Sequence, residues 1–323
     1  MTDKIKLLCL FMLSILLAIL FIGYNIDYNQ FQYIFHFRIT KTIAIILIGF
    51  SISFSSVLFQ TITNNRLLTP SIIGFDALYL MIQSFIVLFL KEINPILLDS
   101  RIIFIYSCFI MILFSNILYK LLFKSSINNI YYILLAGVVC GVLFRSITSF
   151  IEKIIDPDKY QLLQIKMFAN FDLIDTRLLL LSSIVIIFTV LYYIYTSRVS
   201  NNELDIYLIG RENAFTLGID TDNLQKTTLF IISILVSVST ALIGPITFLG
   251  IFVTNISYIL FSTYKHSIII LGSTLLSYII LLGGLFLVER VIPFETNISV
   301  IINGIGGIFF IYLLIKEGKK CYL

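Results

Sequence analysis

Ten apolar runs, each close to the length that crosses a bilayer, alternate with short polar stretches along the chain, and this pattern restricts the possible folds more than any other feature. Hydrocarbon offers backbone N–H and C=O groups no partner, so a chain that crosses it repeatedly must bond those groups internally. The runs place helices at about 5–22, 42–61, 72–90, 101–119, 129–150, 177–196, 227–243, 246–261, 267–288 and 298–315. The fold class read from them is all-α: one polytopic transmembrane domain over 1–323, with no separate soluble domain. Composition agrees, because charged residues are only 12% of the chain, about half the share usual in soluble domains. The net charge of +4 is spread without a basic stripe, which argues against a nucleic-acid partner. The first run follows Lys4 and Lys6 as a signal peptide would, but Gly23-Tyr24-Asn25 offers no small-x-small cleavage site, so it reads as a membrane helix.

Few residues are available for catalysis or metal binding. Cys9, Cys108, Cys140 and Cys321 are far apart and form no CxxC pair. His36 and His266 are too few for a histidine zinc site or a Ser-His-Asp triad, and both read as interfacial loop residues. No catalytic residue and no metal ligand is therefore assigned. The chain also lacks G-x-x-x-x-G-K-[ST], so it cannot cradle ATP phosphates by a P-loop.

Ten spans put both termini on one side. Twelve of the 22 Lys and Arg then fall on that side and ten on the other, a small margin in which the terminal clusters favour the cytoplasm. Four of the ten opposing charges lie in 150–177, beside Glu152, Asp156, Asp158, Asp172 and Asp175, which reads as a solvated external connection with a short surface helix. The longest polar connection on the terminal side, about 197–226, exceeds what a turn needs. Its apolar punctuation at Tyr207, Ile209, Ala214, Leu217 and Ile219, with breaks at Gly210 and Gly218, suits short amphipathic helices; its length favours a surface that receives a soluble partner over the alternative, a folded cytoplasmic loop. Only Gly244-Pro245 separates the seventh and eighth runs, which implies a re-entrant or tightly turned pair buried in protein.

These elements carry a family pattern. Arg38-Ile39-Thr40-Lys41, then Gln60, then Asn64-Asn65-Arg66-Leu67-Leu68-Thr69-Pro70-Ser71-Ile72-Ile73-Gly74 resembles the Arg-Leu-Pro-Arg, Gln and Asn-Pro-Leu-Ala-x-Pro-x-x-x-Gly series of the iron-siderophore and cobalamin ABC-importer permeases. Gly210 to Gly218 resembles their Gly-x-x-x-Ala-x-x-Leu-Gly coupling segment, and Gly244-Pro245-Ile246-Thr247-Phe248-Leu249-Gly250 resembles their Gly-Pro-Ile-x-Phe-x-Gly motif. The series runs in family order from about 38 to 315. Departures are Asn65-Arg66 for Asn-Pro, Asp76 where Ser or Asn is common, and Thr254-Asn255 for Pro-His. Gly74-Phe75-Asp76-Ala77-Leu78-Tyr79 and Thr263-Tyr264-Lys265-His266 are similar to a ferric-siderophore branch whose members work beside a second, different permease.

The resemblance implies a FecCD-type, type II importer permease in a bacterial-type cell membrane. Its partners would be ABC ATPase subunits, a substrate-binding lipoprotein, a second permease in a heterodimer, and membrane lipid. The chain itself would bind no cofactor, ATP and Mg belonging to the ATPase. ATPase coupling is expected at Gly210, Ala214, Leu217 and Gly218. Arg38, Lys41 and, beside Glu289, Arg290 are expected to dock the binding protein at the outer rim, the alternative being interfacial snorkelling for Arg38 and Lys41 and neutralisation by Glu289 for Arg290. Candidates for the translocation path are Gln60, Asp76, Arg145, Gly244, Pro245 and Asn255. For Gln60 and Asn255 the alternative is interhelical hydrogen bonding, for Asp76 helix capping, and for Arg145 snorkelling.

The competing class is an ATP-independent secondary transporter, for which Asp76 is the one plausible coupling carboxylate. A membrane enzyme ranks third, since the two histidines and scattered acids assemble no constellation. Within the importer reading, haem or cobalamin are the alternatives to a ferric siderophore.

Overall fold

The computed structural model describes residues 2–24, 31–90, 99–124, 130–172, 174–196, 203–290 and 297–320, and contains no strand among them. In chain order the helices are α1 (Asp3–Gly23), α2 (Phe31–Thr63), α3 (Phe75–Phe85), α4 (Ser100–Lys124), α5 (Ile130–Ile154), α6 (Pro157–Met167), α7 (Thr176–Thr196), α8 (Glu203–Tyr207), α9 (Arg211–Thr216), α10 (Thr221–Ile243), α11 (Leu249–Leu260), α12 (His266–Arg290) and α13 (Ile298–Lys320). Eight of these are long and apolar enough to cross a membrane, and α3 and α11 are shorter apolar helices, so ten elements match the ten runs. The surface helix expected within 150–177 is α6.

Most elements depart from their expected bounds by a few residues, α10 starting six residues early, and three departures shape the fold. α2 starts at Phe31, eleven residues before the apolar run at 42, because polar residues at a helix end that packs on protein need not be loop. The third run is broken: a 3-10 turn at Pro70–Ile73 ends in Gly74 with φ 107°, α3 follows, and a π-helical turn at Ile86–Leu90 continues it. α11 has only 12 residues, about 18 Å of rise, well short of the roughly 30 Å of a bilayer's hydrocarbon. It is the half-span that Gly244-Pro245 implies.

Burial identifies the centre of the bundle. In α2 72% of the apolar window is buried and in α10 67%, against 11% in α1 and 22% in α7, so α2 and α10 lie inside and the others present a face to lipid. α2 packs against α1, α10, α11 and α12, and α10 also against α4 and α7. Two apolar cores result. One gathers Phe54, Leu58 and Phe59 of α2 with Tyr79 of α3, Met111 of α4 and Leu235 of α10. The other gathers Ala44, Ile45 and Ile48 of α2 with Phe171, Leu249 of α11 and Leu281 of α12.

Small residues permit the closest approaches, as lipid gives helices no hydrophobic reason to associate. A Cβ on Gly137 would lie 1.8 Å from Ile73 Cγ2, and one on Gly141 would lie 3.1 Å from Gly74 Cα, so α5 fits the turn before α3 only as glycine.

Contacts between distant segments define the two ends. Lys6 Nζ donates to the Leu260 carbonyl at 2.7 Å, placing the start of α1 beside the α11–α12 turn. At the opposite end Asn170 N donates to the Ile243 carbonyl at 2.9 Å and Ala169 N to Ser299 Oγ at 3.1 Å.

Candidate functional site

At the end that holds the start of α1, α8 and α9 fold against the first turn of α10. Tyr207, Ala214 and Leu224 are buried together, with Ile206 and Ile219 packed on them. Gln225 Nε2 donates to Tyr207 Oη at 2.5 Å, and burial raises that phenol's pKa so that it stays neutral. Arg211 donates to Asp222 at 2.6 Å. Gly210 and Gly218 take φ of 105° and 89°, the left-handed region that favours glycine, and so set the two chain reversals. Of the four expected coupling residues, Ala214 is therefore interior and holds the segment together. Leu217 and Gly218 face outward, and with Ile209 and Phe215 they form an apolar surface of side chains 59–69% exposed. A groove of about 850 Å³ runs beside it, lined by Arg211, Glu212, Asn213, Thr216 and Asp222. Monomer surfaces seldom leave such large apolar groups together in water, and their usual role is association. Residues 197–202 of the expected segment lie outside the described residues.

One imidazole ties this segment to the bundle. Asp205 Oδ1 of α8 accepts the backbone N–H of His266 at 2.8 Å and its ring Nδ1–H at 2.5 Å, while Nε2 lies 2.8 Å from Thr61 Oγ1 of α2. His266 is buried at the first residue of α12, not an interfacial loop residue. His36, the other histidine, lies exposed within α2.

Inside the bundle two irregular segments meet. The chain after α2 folds back through 64–74, and 244–248 leads into α11. Gln60 Nε2 donates to the Arg66 carbonyl and to Thr254 Oγ1, each at 2.8 Å, and Asn255 Nδ2 donates to the same carbonyl at 2.9 Å. Both amides are buried; Gln60 makes one interhelical bond, to Thr254, whereas Asn255 bonds the 64–74 loop and the Ile251 carbonyl of its own helix. Asp76 does not cap its own helix, whose N-cap is Gly74; its Oδ2 instead accepts Thr247 Oγ1–H at 2.7 Å, joining the two irregular segments. Gly244, with φ 100°, closes α10, and a Cβ there would lie 3.0 Å from the Phe168 carbonyl. Pro245 is buried beside it. Arg145 is exposed on α5.

The basic residues expected at the far rim divide. Arg38 is buried, and its Nη1 donates to the carbonyls of Phe21 at 3.3 Å, Ile22 at 2.9 Å and Tyr24 at 2.7 Å. It satisfies the carbonyls that the end of α1 leaves without helical donors, at the negative end of the helix dipole. Lys41 is also buried; its ammonium donates to Asp172 and, at 2.6 Å, to Glu289, and lies 4.3 Å from the centre of the Phe37 ring. Neither is the free rim charge expected, because α2 begins before them and carries them between α1, α12 and the 168–172 segment. Glu289, the neighbour whose neutralisation of Arg290 was the alternative to docking, pairs with Lys41. Arg290 is exposed at the end of α12.

Sequence reasoning missed Asp205, Asp172 and the burial of His266. Their partners are remote in the chain, and no local spacing records them.

A model of the FecCD transport family matches residues 5–316. YclO, a petrobactin import system permease protein of Bacillus subtilis (strain 168), is 46% identical over 320 residues, covering 99% of this chain and 100% of the relative. YclN, another petrobactin import system permease protein of the same organism, is 25% identical over 338 residues, covering 98% of this chain and 99% of the relative. A solved inward-facing structure of a metal-chelate type ABC transporter has the same fold, with a TM-score of 0.82 at 19% identity over 98% of this chain and 100% of that one. With a family match over nearly its whole length, this multi-pass membrane chain belongs to the FecCD transport family.

Proposed function

We propose that the chain is the permease subunit of an ATP-driven importer for a ferric siderophore of the petrobactin class. The observation that carries this reading is the end-to-end identity with a petrobactin import system permease, 46% over 320 residues. The structure supports the mechanism. The exposed apolar surface of Ile209, Phe215, Leu217 and Gly218 is suited to a separate ATPase, which would hold ATP and Mg and drive this segment. The chain moves its cargo by alternating access and performs no chemistry on it.

Two further partners follow. YclO and YclN are different permeases named for one import system in one organism, which favours a heterodimer over two copies of this chain. The exposed Arg145 guanidinium on α5 would then face a path completed by the second permease, where it attracts an anionic chelate. A binding lipoprotein delivers cargo at the end that carries Arg290, which places that end outside a bacterial cell membrane and the α8–α9 end in the cytoplasm.

The test is uptake of radiolabelled ferric petrobactin by cells lacking the gene, with and without the chain restored. Uptake that returns only when the ATPase subunit is also active supports the reading. Uptake that persists with an inactive ATPase would make the chain a secondary transporter.

A further inference from the structure

The α8–α9 segment is attached to the bundle in two ways. One attachment is local: Tyr207 to Gln225 and Arg211 to Asp222 hold it to α10, the next helix in the chain. Any displacement of the segment reaches α10 through the covalent backbone in any case. The other attachment is remote in sequence. It runs from Asp205 through His266 to Thr61, across 61 and then 205 residues, and joins α8 to α12 and α2.

The geometry of that link makes it stiff. Asp205 Oδ1 takes two donors from one residue, the backbone N–H and the ring N–H of His266, so α8 cannot shift along or across α12 without losing one of them. Protein hydrogen bonds tolerate only a few tenths of an ångström around roughly 2.9 Å before they weaken, and a buried bond has no water to replace it. The imidazole is planar and rigid, so its far nitrogen carries the same displacement to Thr61 in the last turn of α2. His266 and Thr61 are 4% and 1% exposed, which excludes solvent from their contact, while the Asp205 side chain is 24% exposed at the outer edge of the link.

The helices it reaches are suited to pass a displacement on. α2 and α12 pack against each other along much of their lengths, and at the opposite end Lys41 of α2 bonds Glu289 of α12 and Asp172 of the outer segment. The pair is therefore fastened at both ends, to α8 at one and to 168–172 at the other. Such a contiguous chain of packed elements is one physical route by which distant sites are coupled.

We propose that His266 is a positioning residue for energy coupling, transmitting displacement of the ATPase-facing segment to the α2–α12 pair through Asp205 and Thr61. The proposal rests on the reading of α8–α9 as the ATPase-facing segment.

Three substitutions separate the link from the fold. His266→Asn places an amide N–H near the position of Nδ1, keeping a donor for Asp205, but is too short to reach Thr61. Thr61→Val removes the hydroxyl at nearly constant shape. Asp205→Asn removes the charge but retains an oxygen that accepts both donors. Each variant is assembled with its partner subunits in proteoliposomes, and ATP hydrolysis, ferric petrobactin uptake and thermal midpoint are measured together. The expected result is that His266→Asn and Thr61→Val assemble and hydrolyse ATP while uptake per ATP falls about tenfold, with Asp205→Asn within about twofold of the unmodified chain. Unchanged uptake per ATP in both His266→Asn and Thr61→Val overturns the link and leaves the ATPase-facing assignment intact. Normal ATPase assembly with a chain whose exposed Phe215 and Leu217 are both changed to Asp overturns that assignment, and the proposal with it.

Discussion

Removing the charge of Lys41 and removing the charges it faces should not cost the same. The Lys41 side chain is 4% exposed, whereas those of Glu289 and Asp172 are 24% and 61% exposed. In Lys41→Met the carboxylates lose their partner but can take up water, Asp172 fully and Glu289 in part. The Met side chain keeps most of the contact with Phe37, so the loss should be about 1–2 kcal/mol, the size of a lost charged hydrogen bond. In Asp172→Asn with Glu289→Gln the ammonium stays buried against amide oxygens and the Phe37 ring, with no compensating charge. Stranding a buried charge costs about 3–5 kcal/mol, and the residual amide acceptors and the ring would bring this to about 2–4 kcal/mol. Combining all three changes should return the protein to within about 1 kcal/mol of Lys41→Met alone, because no charge is then left behind. Thermal unfolding in detergent, with ligand-free protein at fixed detergent and salt, gives the order of midpoints: unmodified, Lys41→Met close to the triple variant, and the double variant lowest. If Lys41→Met is as damaging as the double variant, or the triple variant is worse than both, burial of the ammonium does not control this cluster and the reasoning fails.

Gly218→Leu should leave the chain folded but reduce transport per ATP, since a side chain there meets open space yet must adopt φ 89°, at a cost of about 1–2 kcal/mol; coupled ATPase and uptake assays on reconstituted complex measure it. Gly137→Val should lower the yield of folded protein sharply, because its Cβ would overlap Ile73; size-exclusion profiles of purified protein show whether α5 still seats. Arg290→Glu should slow association with the binding protein and weaken its salt dependence, while Arg38→Met should change stability more than association; stopped-flow binding at low and high ionic strength separates them. Cysteine placed at the exposed Asp158 should react with an impermeant thiol reagent from outside intact cells, and labelling from the cytosol alone would invert the topology.

The helices were legible because hydrocarbon leaves the backbone few options, so apolar length alone located ten elements. Their ends were less legible. Arg38 and Lys41 look like loop charges by hydropathy, yet they lie in α2 because the end of α1, Asp172 and Glu289 supply acceptors there. Gly210, Gly218 and Gly244 were legible as breaks, since left-handed backbone selects glycine. Asp205 and His266 were not, as a pair 61 residues apart leaves no periodic trace in one sequence. The same holds for Asp76, whose partner Thr247 lies 171 residues away. Gln60 and Asn255 share the Arg66 carbonyl as acceptor, and its position is a product of the fold-back itself, which no local spacing records.

The hydroxyls between α2 and α12 have a mechanical consequence. Ser53 of α2 donates to the Gly49 carbonyl of its own helix, and Ser273, Thr274 and Ser277 of α12 likewise donate to Ile270 and Thr274. Ser53 also lies 3.2 Å from Thr274 Oγ1. Such back-bonding leaves little polar adhesion across the contact, and small side chains offer no deep ridges to climb. The middle of the pair thus behaves as a lubricated bearing, on which a small axial slip costs little friction, and the register of the two rods is set by the fastenings at their tips.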